Sequence, residues 1–390
     1  MNGTPPLVFV VAAEPSGDVI GGRLMAAMRR LAGGGVRFAG IGGERMAAEG
    51  LQSRVPLSAL SLFGVIEVLP QAMRILRLVR ETAAAIVAAR PAAVVTIDSS
   101  GFNFRLAARL RAAGYRGPLV HYVAPQLWAW WRPAKARALA AHYDRVLALF
   151  PFEPGFFAAR GISCTFVGHP AVEEGFGQGD GWGFRARHRI PASAPLLAVL
   201  PGSRGSEVSR LLPIFGATVA MLRRRISDLA VILPTVPNVA DRVAAAAAAW
   251  PAPTTVVRDA GEKRDAFAAA TAALAASGTV TFELALSGTP FVTAYRLNAL
   301  TLWLIRRKAT VRYATIVNML TDREIAPELI QEDCRPDRLA AACLPLLTEE
   351  SAREAQRREL AAAVAQLAME GEPPSERAAR VVLDLMSGRR

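Results

Sequence analysis

The sequence has few residues of the kinds that build disulfide frameworks and metal sites. Its 390 residues include three cysteines and four histidines. The cysteines, Cys164, Cys334 and Cys343, lie far apart without a C-x-x-C pair, which argues against a disulfide scaffold or a zinc site and favours a reducing cytoplasm. The histidines lack ligand spacing and no Asp-x-Asp pair follows a predicted strand, so no metal is expected.

Long apolar runs are also missing. The stretch AAAIVAARPAAVVTI is interrupted by Arg90 and Pro91, so it is not predicted to span a bilayer. The N-terminal run LVFVVAA has no basic region before it and leads into a polar glycine loop, which predicts the first strand of the fold and not a secretory signal. We therefore expect a soluble or peripheral protein.

Acidic residues are outnumbered by basic ones. The 46 Lys and Arg against 33 Asp and Glu give a formal net charge of +13. This balance suits anionic lipid, a phosphorylated substrate or nucleic acid. A nucleic-acid-binding α/β protein is one hypothesis. The chain has no aromatic RNA-binding motif, zinc-finger pattern or dense basic helix, however, and we expect no nucleic-acid partner.

Strand-like apolar runs alternate with helical patterns through most of the chain. LVFVVAA precedes GGRLMAAMRRLA, AAVVTID precedes RLAARLRAAG, and after a linker rich in glycine, proline and charge the alternation restarts with LLAVLPGSRGSEV. Such alternation predicts parallel sheets covered by helices. We expect an α/β protein with one domain at residues 1–170, a second at 171–345 and a helical tail at 346–390.

The first strand leads into the loop AEPSGD, and the glycines Gly21 and Gly22 follow in the next helical pattern. A strand, tight loop and helix in this order present unpaired backbone N–H groups, which favour an anionic or polyhydroxyl ligand. The glycine order does not fit the dinucleotide fingerprint, and no P-loop lysine follows. A plain βα turn capped by Ser16 or Asp18 is an equally good interpretation.

A second strand, loop and helix lies in LAVLPGSRGSEVSRLL. Gly202 permits close backbone approach, and Ser203 supplies a donor. Arg204 adds a permanent charge that can grip phosphate oxygens bidentately, and Glu207 lies at the helix start. These residue types indicate a diphosphate site, while the alternative is a capped turn with a solvated arginine.

The loop in ASGTVTFELALSG has a complementary pattern. Ser277, Gly278 and Thr279 lie at a helix start, and Glu283 follows one turn later. Backbone donors at such a helix start can meet phosphate while the carboxylate accepts hydrogen bonds from ribose hydroxyls. Alternatively, Glu283 only favours the positive end of its helix.

Taken in order, these segments resemble the lipid-A-disaccharide synthase family of GT-B glycosyltransferases. The resemblance also runs through GIGGERMAAEGL, TIDSSGFNFRLA, HYVAPQLWAWWRPAKARAL, FVGHP and IVNMLTDREIAPELIQEDC, so it covers nearly the whole chain. It implies two Rossmann-like domains facing a cleft. It also implies the inverting, metal-independent transfer of 2,3-diacylglucosamine from its UDP derivative to 2,3-diacylglucosamine 1-phosphate, which yields a β-1,6-linked disaccharide 1-phosphate and UDP. A homodimer is implied as well, with C-terminal tails packed on N-terminal domains and exchanged between chains.

The resemblance carries roles to individual positions. Asp98 matches an essential strand-end aspartate and becomes the candidate base, with a helix cap as the alternative, while Arg204 matches an essential arginine and would stabilise the leaving group. Together with the two loops described above, the expected UDP-binding residues are Gly202, Ser203, Arg204, Glu207, Ser277, Gly278, Thr279, Glu283 and Asn318, of which the resemblance itself carries over Arg204, Glu283 and Asn318. The resemblance also implies that the first loop holds the acceptor, through Glu14, Ser16, Gly17 and Asp18. The family pattern Asp-x-Pro-Asp-Phe here ends in Gly101-Phe102, so no role is assigned to its second aspartate.

Both implied substrates carry acyl chains, so an apolar surface beside basic groups is expected on the acceptor side. The segment PLSALSLFGVIEVLPQAMRILRLVR supplies both. Its candidate contacts are Leu62, Phe63, Val65, Ile66, Leu69, Arg74 and Arg77, and the alternative is an amphipathic helix packed on its sheet. Together with the resemblance, this predicts a peripheral enzyme on anionic lipid at the cytoplasmic face of the inner membrane of a Gram-negative-type bacterium.

One more enzyme class would share the loops assigned to UDP. A GT-B transferase or epimerase that acts on non-acylated UDP-sugars would need the same loops but no apolar entrance. Activity with a non-acylated UDP-sugar distinguishes that hypothesis.

Overall fold

The structure, a computed structural model, describes residues 4–55, 68–129, 132–297, 312–367 and 371–388. The chain forms two compact units. Unit 1 consists of Met1–Glu173 together with Met369–Arg390, and unit 2 consists of Glu174–Ala368.

Unit 1 is built on a parallel sheet in the strand order β2-β1-β3-β4-β5-β6. The strands are β1 (Leu7–Ala12), β2 (Arg37–Ile41), β3 (Ala93–Ile97), β4 (Leu119–Tyr122), β5 (Arg145–Ala148) and β6 (Cys164–Phe166). The helices that alternate with them are α1 (Pro15–Leu31), α2 (Glu44–Ala48), α3 (Val68–Ala89), α4 (Ser100–Ala112), α5 (Pro133–His142) and α6 (Glu153–Ala158). The central strands β1, β3 and β4 are almost wholly buried, as expected of a sheet with helices on both faces.

Unit 2 repeats this architecture in the strand order β12-β11-β10-β7-β8-β9, again all parallel. Its strands are β7 (Leu196–Leu200), β8 (Ala230–Pro234), β9 (Thr254–Val257), β10 (Ala272–Ala276), β11 (Phe291–Tyr295) and β12 (Glu328–Ile330). Its helices are α7 (Gly181–Arg187), α8 (Gly205–Arg223), α9 (Ala240–Ala247), α10 (Lys263–Ala269), α11 (Thr279–Leu286), α12 (Ile316–Thr321), α13 (Pro336–Thr348) and α14 (Glu350–Ala365). The predicted α/β class with two parallel sheets is confirmed.

The strand order reverses once in each sheet, and the predicted loops lie at the two reversals. In unit 1 the chain places β2 on one side of β1 and β3 on the other, so the loops after β1 and β3 are neighbours. In unit 2 the loops after β7 and β10 are neighbours for the same reason. Because adjacent connections diverge there to opposite faces, a crevice opens at the carboxyl ends of the strands.

The glycine pair in α1 serves helix packing. A Cβ atom added to Gly21 would lie 2.5 Å from the sulfur of Met46, and one added to Gly22 would lie 3.0 Å from the carbonyl oxygen of Arg45. The two glycines therefore let α1 and α2 approach closely.

The C-terminal region is divided between the units, which corrects the expectation that residues 346–390 pack as one tail. Helix α14 belongs to unit 2, where the side-chain oxygen of Gln356 accepts from the Phe291 amide at 2.7 Å. The last helix, α15 (Pro374–Met386), packs on α1, where Arg30 and Glu376 form an ion pair at 2.6 Å. Helix α14 buries Leu360 and Ala363 in the core of unit 2, whereas α15 buries Ala378, Ala379 and Val382 in unit 1.

Candidate functional site

A cavity of about 480 Å³ lies in unit 2 at the reversal of its strand order. Every predicted donor-side residue except Asn318 lines it: Gly202, Ser203, Arg204, Glu207, Ser277, Gly278, Thr279 and Glu283. The loops after β8 and β9 complete its wall with Thr235, Asp259 and Lys263, which sequence reasoning missed. A strand-end position was the only signal that could have indicated them.

The loop after β7 holds its arginine at the rim of this cavity. Gly202 has a φ of +108°, and a Cβ atom there would lie 2.8 Å from a carboxylate oxygen of Glu207, so both conformation and space require glycine. The Arg204 guanidinium is 78% exposed and pairs with the Glu207 carboxylate at 2.9 Å. Glu207 also accepts from the Tyr295 hydroxyl at 3.5 Å. The carboxylate thereby orients a cation that still faces solvent.

The loop after β10 presents a helix start and a paired carboxylate. Gly278 has a φ of +154° and precedes α11, and the first residues of that helix, Thr279 and Val280, line the cavity together with Gly278. Glu283, one turn into α11, forms an ion pair with Lys263 at the start of α10. The Lys263 ammonium also lies 5.6 Å from the ring centre of Phe267. Two cations, Arg204 and Lys263, therefore flank one cavity, an arrangement suited to a diphosphate.

Asn318 is buried away from this cavity. Its Nδ2 donates to the Ala326 carbonyl and to Glu328, both at 2.8 Å, and its Oδ1 accepts from the amides of Ile325 and Ala326 at 2.9 and 3.0 Å. These bonds use the side chain to hold the turn between α12 and β12. The structure thus gives Asn318 a structural role in place of direct contact with the donor.

The reversal in unit 1 brings together Glu14 and the turn at Asp98. The Ser99 hydroxyl donates to the Glu14 carboxylate at 3.0 Å, across the ends of β1 and β3. Asp98 and Ser99 both adopt left-handed backbone angles, with φ of 49° and 43°. Burial raises the pKa of Asp98, and the nearby Glu14 charge raises it further, against the lowering effects of the Ser99 N–H and Lys135. A carboxyl with a raised pKa at such a crevice has the properties of a general base.

The other residues predicted to bind the acceptor divide into two groups. Ser16 is exposed in the first turn of α1, two residues after Glu14. Gly17 is buried, and a Cβ atom there would lie 3.3 Å from the Cβ of Ala12. Asp18 is also buried, and its carboxylate accepts from the amides of Gly43, Arg45 and Met46 at 2.7, 3.0 and 3.1 Å. Both oxygens of Asp18 are engaged at the start of α2, so we leave it out of the acceptor site.

This arrangement predicts a stability defect for Asp18. We expect Asp18→Ala to lower the free energy of unfolding by about 3 kcal/mol, because three amides at the start of α2 lose an ionised acceptor. Chemical denaturation measures the change, with the exposed Ser16→Ala as the matched control that should leave stability unchanged. If Asp18→Ala instead raised the acceptor KM at wild-type stability, Asp18 would be a ligand.

Comparison with known proteins identifies the family. A family model described as lipid-A-disaccharide synthetase matches residues 8–381. The chain belongs to this family. A lipid-A-disaccharide synthase of Rhodospirillum centenum is similar to it, with 52% identity over 385 residues that span 99% of this chain and 96% of that protein. The resemblance drawn from the sequence motifs is confirmed.

Solved structures support the fold assignment. A putative UDP-N-acetylglucosamine 2-epimerase from Listeria monocytogenes aligns with a TM-score of 0.65 at 12% identity, over 98% of this chain and 96% of that one. A sucrose-phosphate synthase from Thermosynechococcus elongatus aligns with a TM-score of 0.63 at 13% identity, over 98% and 100%. These likenesses confirm the predicted GT-B fold.

The region that the lipid-A-disaccharide synthetase resemblance assigns to acyl chains is described only in part. Leu62, Phe63, Val65 and Ile66 lie outside the described residues, as does the side chain of Leu69. Helix α3 packs its C-terminal half on the sheet through Leu78, Val79, Ala83 and Ile86. Its N-terminal half differs, because Met73, Arg74, Leu76 and Arg77 are all exposed. The helix therefore combines core packing with a solvent-facing apolar and basic surface.

Within the described residues, neither a metal-binding cluster nor a membrane-spanning helix is present. Across 4–55, 68–129, 132–297, 312–367 and 371–388, His, Cys, Asp and Glu side chains nowhere gather in a group of three or more that could hold a metal ion. Within these same ranges, the helices are too short or too polar to cross a bilayer.

Proposed function

We propose that this member of the lipid-A-disaccharide synthetase family transfers 2,3-diacylglucosamine from UDP-2,3-diacylglucosamine to 2,3-diacylglucosamine 1-phosphate. The products are the β-1,6-linked disaccharide 1-phosphate and UDP. The observation that carries the proposal is the cavity of unit 2, in which all but one of the residues expected at the UDP site come together. Family membership supplies the substrate class.

The donor half of the proposed site is the cavity beside Arg204. We assign the diphosphate to Arg204 and the N–H groups at the starts of α8 and α11, where charge and helix dipoles favour an anion. Glu283 would accept hydrogen bonds from the ribose hydroxyls, with Lys263 keeping its carboxylate in place. Arg204 and Lys263 supply the positive charge for the leaving group, so the transfer is proposed to need no metal.

The acceptor half is proposed to be the crevice of unit 1 at Glu14, Ser16 and Asp98. The Asp98 carboxylate takes the proton of the acceptor 6-hydroxyl as this oxygen forms a bond to the anomeric carbon of the donor. The bond from that carbon to the UDP oxygen breaks, and the electron pair leaves with UDP. Attack from the face opposite the leaving group inverts the configuration.

The reaction is tested by measuring UDP release from UDP-2,3-diacylglucosamine in detergent, without added metal, with and without the acceptor. The proposal expects release that requires the acceptor and yields a disaccharide 1-phosphate. Release with non-acylated UDP-sugar alone would favour the alternative transferase or epimerase. A folded protein that binds UDP but gives no release with this acceptor would contradict the assigned acceptor.

A membrane partner forms a second part of the proposal, supported by the exposed surface of α3. Met73 is 68% exposed and Leu76 is 41% exposed, on the same helix as the basic residues Arg74 and Arg77. An apolar surface flanked by arginines suits an anionic bilayer surface. We propose that this surface holds the enzyme at the cytoplasmic face of the inner membrane, where its acylated substrates lie.

Replacing Met73 and Leu76 by glutamate should lower binding to vesicles of anionic phospholipid by at least about tenfold, because apolar area is lost and negative charge is added. Vesicle sedimentation measures the binding. Val87→Glu is the matched control, since Val87 is exposed at the other end of α3 and should leave binding unchanged. Equal binding by both variants and the wild type would remove α3 from the membrane contact.

The proposed assembly is a homodimer, which rests on the family resemblance. Light scattering of the purified protein tests it directly, and a monomer at micromolar concentration would contradict it. The same measurement on a chain truncated before α15 tests whether this helix, which packs on α1, takes part in assembly.

A further inference from the structure

The turn that carries Asp98 has an unusual backbone. Two consecutive residues other than glycine, Asp98 and Ser99, have φ of 49° and 43°. Left-handed angles are uncommon for such residues and persist where surrounding contacts hold them. The contacts that hold this turn therefore decide where the Asp98 carboxylate points.

Asn103, one turn into α4, contacts this backbone directly. Its Nδ2 donates to the Ile97 carbonyl at 3.0 Å and to the Asp98 carbonyl at 2.8 Å, and its backbone N–H donates to the Ser99 carbonyl at 3.1 Å. The side chain is fully buried. Among the described residues its Oδ1 has no hydrogen-bond partner, so the amide acts here as a donor only.

The two carbonyls belong to the peptide groups on either side of the Asp98 α carbon. Fixing both peptide planes fixes the direction of the bond from Cα to Cβ, because that direction follows from the backbone at that residue. An amide nitrogen carries two hydrogens, one for each carbonyl. An ionised aspartate at position 103 would have no hydrogen to donate to these carbonyls, and a leucine side chain would have none either.

Asn103 itself accepts a hydrogen bond from a buried network of side chains. Its own carbonyl accepts from the Tyr143 hydroxyl at 3.0 Å. The Thr96 hydroxyl lies 3.1 Å from that of Tyr143 and 2.9 Å from Nδ1 of His121. All of these side chains are buried, and the hydrogen bond that reaches Asn103 comes from the Tyr143 hydroxyl and not from Thr96.

We propose that Asn103 is a positioning residue for Asp98, whose two flanking carbonyls it clamps so that the carboxylate is aimed at the acceptor hydroxyl. This inference rests on the proposed function, in which Asp98 is the base.

The test compares Asn103→Leu with Thr96→Val. Both variants remove buried hydrogen bonds from one network, but only Asn103 contacts the Asp98 turn. We expect Asn103→Leu to lower kcat by about 10²-fold, the scale for misplacing a reacting group by about 1 Å. The Kd for UDP should not change, because the proposed UDP site lies in unit 2. Thr96→Val should keep kcat within about twofold at a comparable loss of thermal stability.

Two further readouts separate positioning from general destabilisation. In an Asp98→Asn background, Asn103→Leu should cause no additional loss of kcat, because residues that act as a unit are not additive. The acidic limb of the kcat/KM profile should also move to lower pH in Asn103→Leu, as a released Asp98 gains solvent. Glu14 and Lys135, the charged groups that face Asp98, remain unchanged in this variant.

The outcomes distinguish this inference from the proposed function. If Asp98→Asn abolishes turnover while Asn103→Leu keeps wild-type kcat and pH profile, the positioning role is overturned and the base assignment stands. If Asp98→Asn itself turns over normally, the base assignment fails. Should Asn103→Leu not fold, Asn103→Ala, which also removes both side-chain donors, is tested in the same way, and wild-type kcat in it would also overturn the inference.

Discussion

Asp98→Asn is expected to lower kcat by about 10²- to 10⁴-fold, the contribution of a general base, while the Kd for UDP stays unchanged. Asparagine has nearly the same shape but cannot accept the proton of the acceptor hydroxyl. The variant should fold, because burial already disfavours the charged form of Asp98 and a neutral side chain avoids that cost. Steady-state kinetics and calorimetric UDP titration measure the two effects.

The pH dependence of the wild type provides a second measurement of the same group. As the proposed base, Asp98 must be ionised to accept a proton, and burial together with the Glu14 charge raises its pKa above the ordinary value of 3.8. Activity should therefore fall as the pH drops through that raised pKa. In Glu14→Gln the negative neighbour is gone, so the acidic limb of kcat/KM should move to lower pH. Near-normal turnover by Asp98→Asn would show that the base lies elsewhere.

Arg204→Ala is expected to lower kcat by about 10²- to 10³-fold, the scale for losing one preorganised group that stabilises developing charge. In the structure the Arg204 guanidinium is oriented by Glu207 and still faces solvent at the cavity, so it can meet the departing diphosphate. Arg204→Lys should recover only part of the loss, because a lysine keeps the charge but not the planar, bidentate geometry.

Two control variants make the Arg204 measurement specific. Arg223→Ala removes an arginine from the last turn of the same helix, about 27 Å from its start, and should leave kcat unchanged. Arg204→Ala combined with Glu207→Gln tests whether the loss comes from a carboxylate left without its partner. If the double variant recovers wild-type kcat, or if Arg204→Ala has unchanged kinetics, Arg204 does not stabilise the leaving group.

Much of this fold could be predicted from local sequence patterns. The alternation of apolar runs with helical patterns predicted parallel sheets, because the spacing of apolar residues within a short segment distinguishes strands from helices. The cavity loops were also visible, since Gly202 and Gly278 stand where the backbone needs left-handed or unusual angles. The phosphate-binding role of Arg204 was indicated by its loop as well as by the family resemblance, whereas the role of Asp98 came from the resemblance. Both residues lie where the strand order reverses.

The roles of other side chains could be inferred only from the tertiary structure. Asp18 and Asn318 have residue types suited to ligands, yet Asp18 binds amides of Gly43 to Met46, and Asn318 binds the turn before β12. Lys263 and Asn103 attracted no notice in the sequence, although one pairs with Glu283 and the other clamps the Asp98 turn. The partners of these side chains are set by tertiary contacts, which cannot be inferred from the periodicity of apolar residues in the sequence.

The sequence alone thus determined the class of each segment, the loops that could bind a ligand and, through its motifs, the family. Tertiary structure decided which of the polar residues in those loops remain available. The physical reason is that local conformation depends on nearby residues, whereas the availability of a carboxylate or an amide depends on the donors and acceptors that the strand order brings beside it.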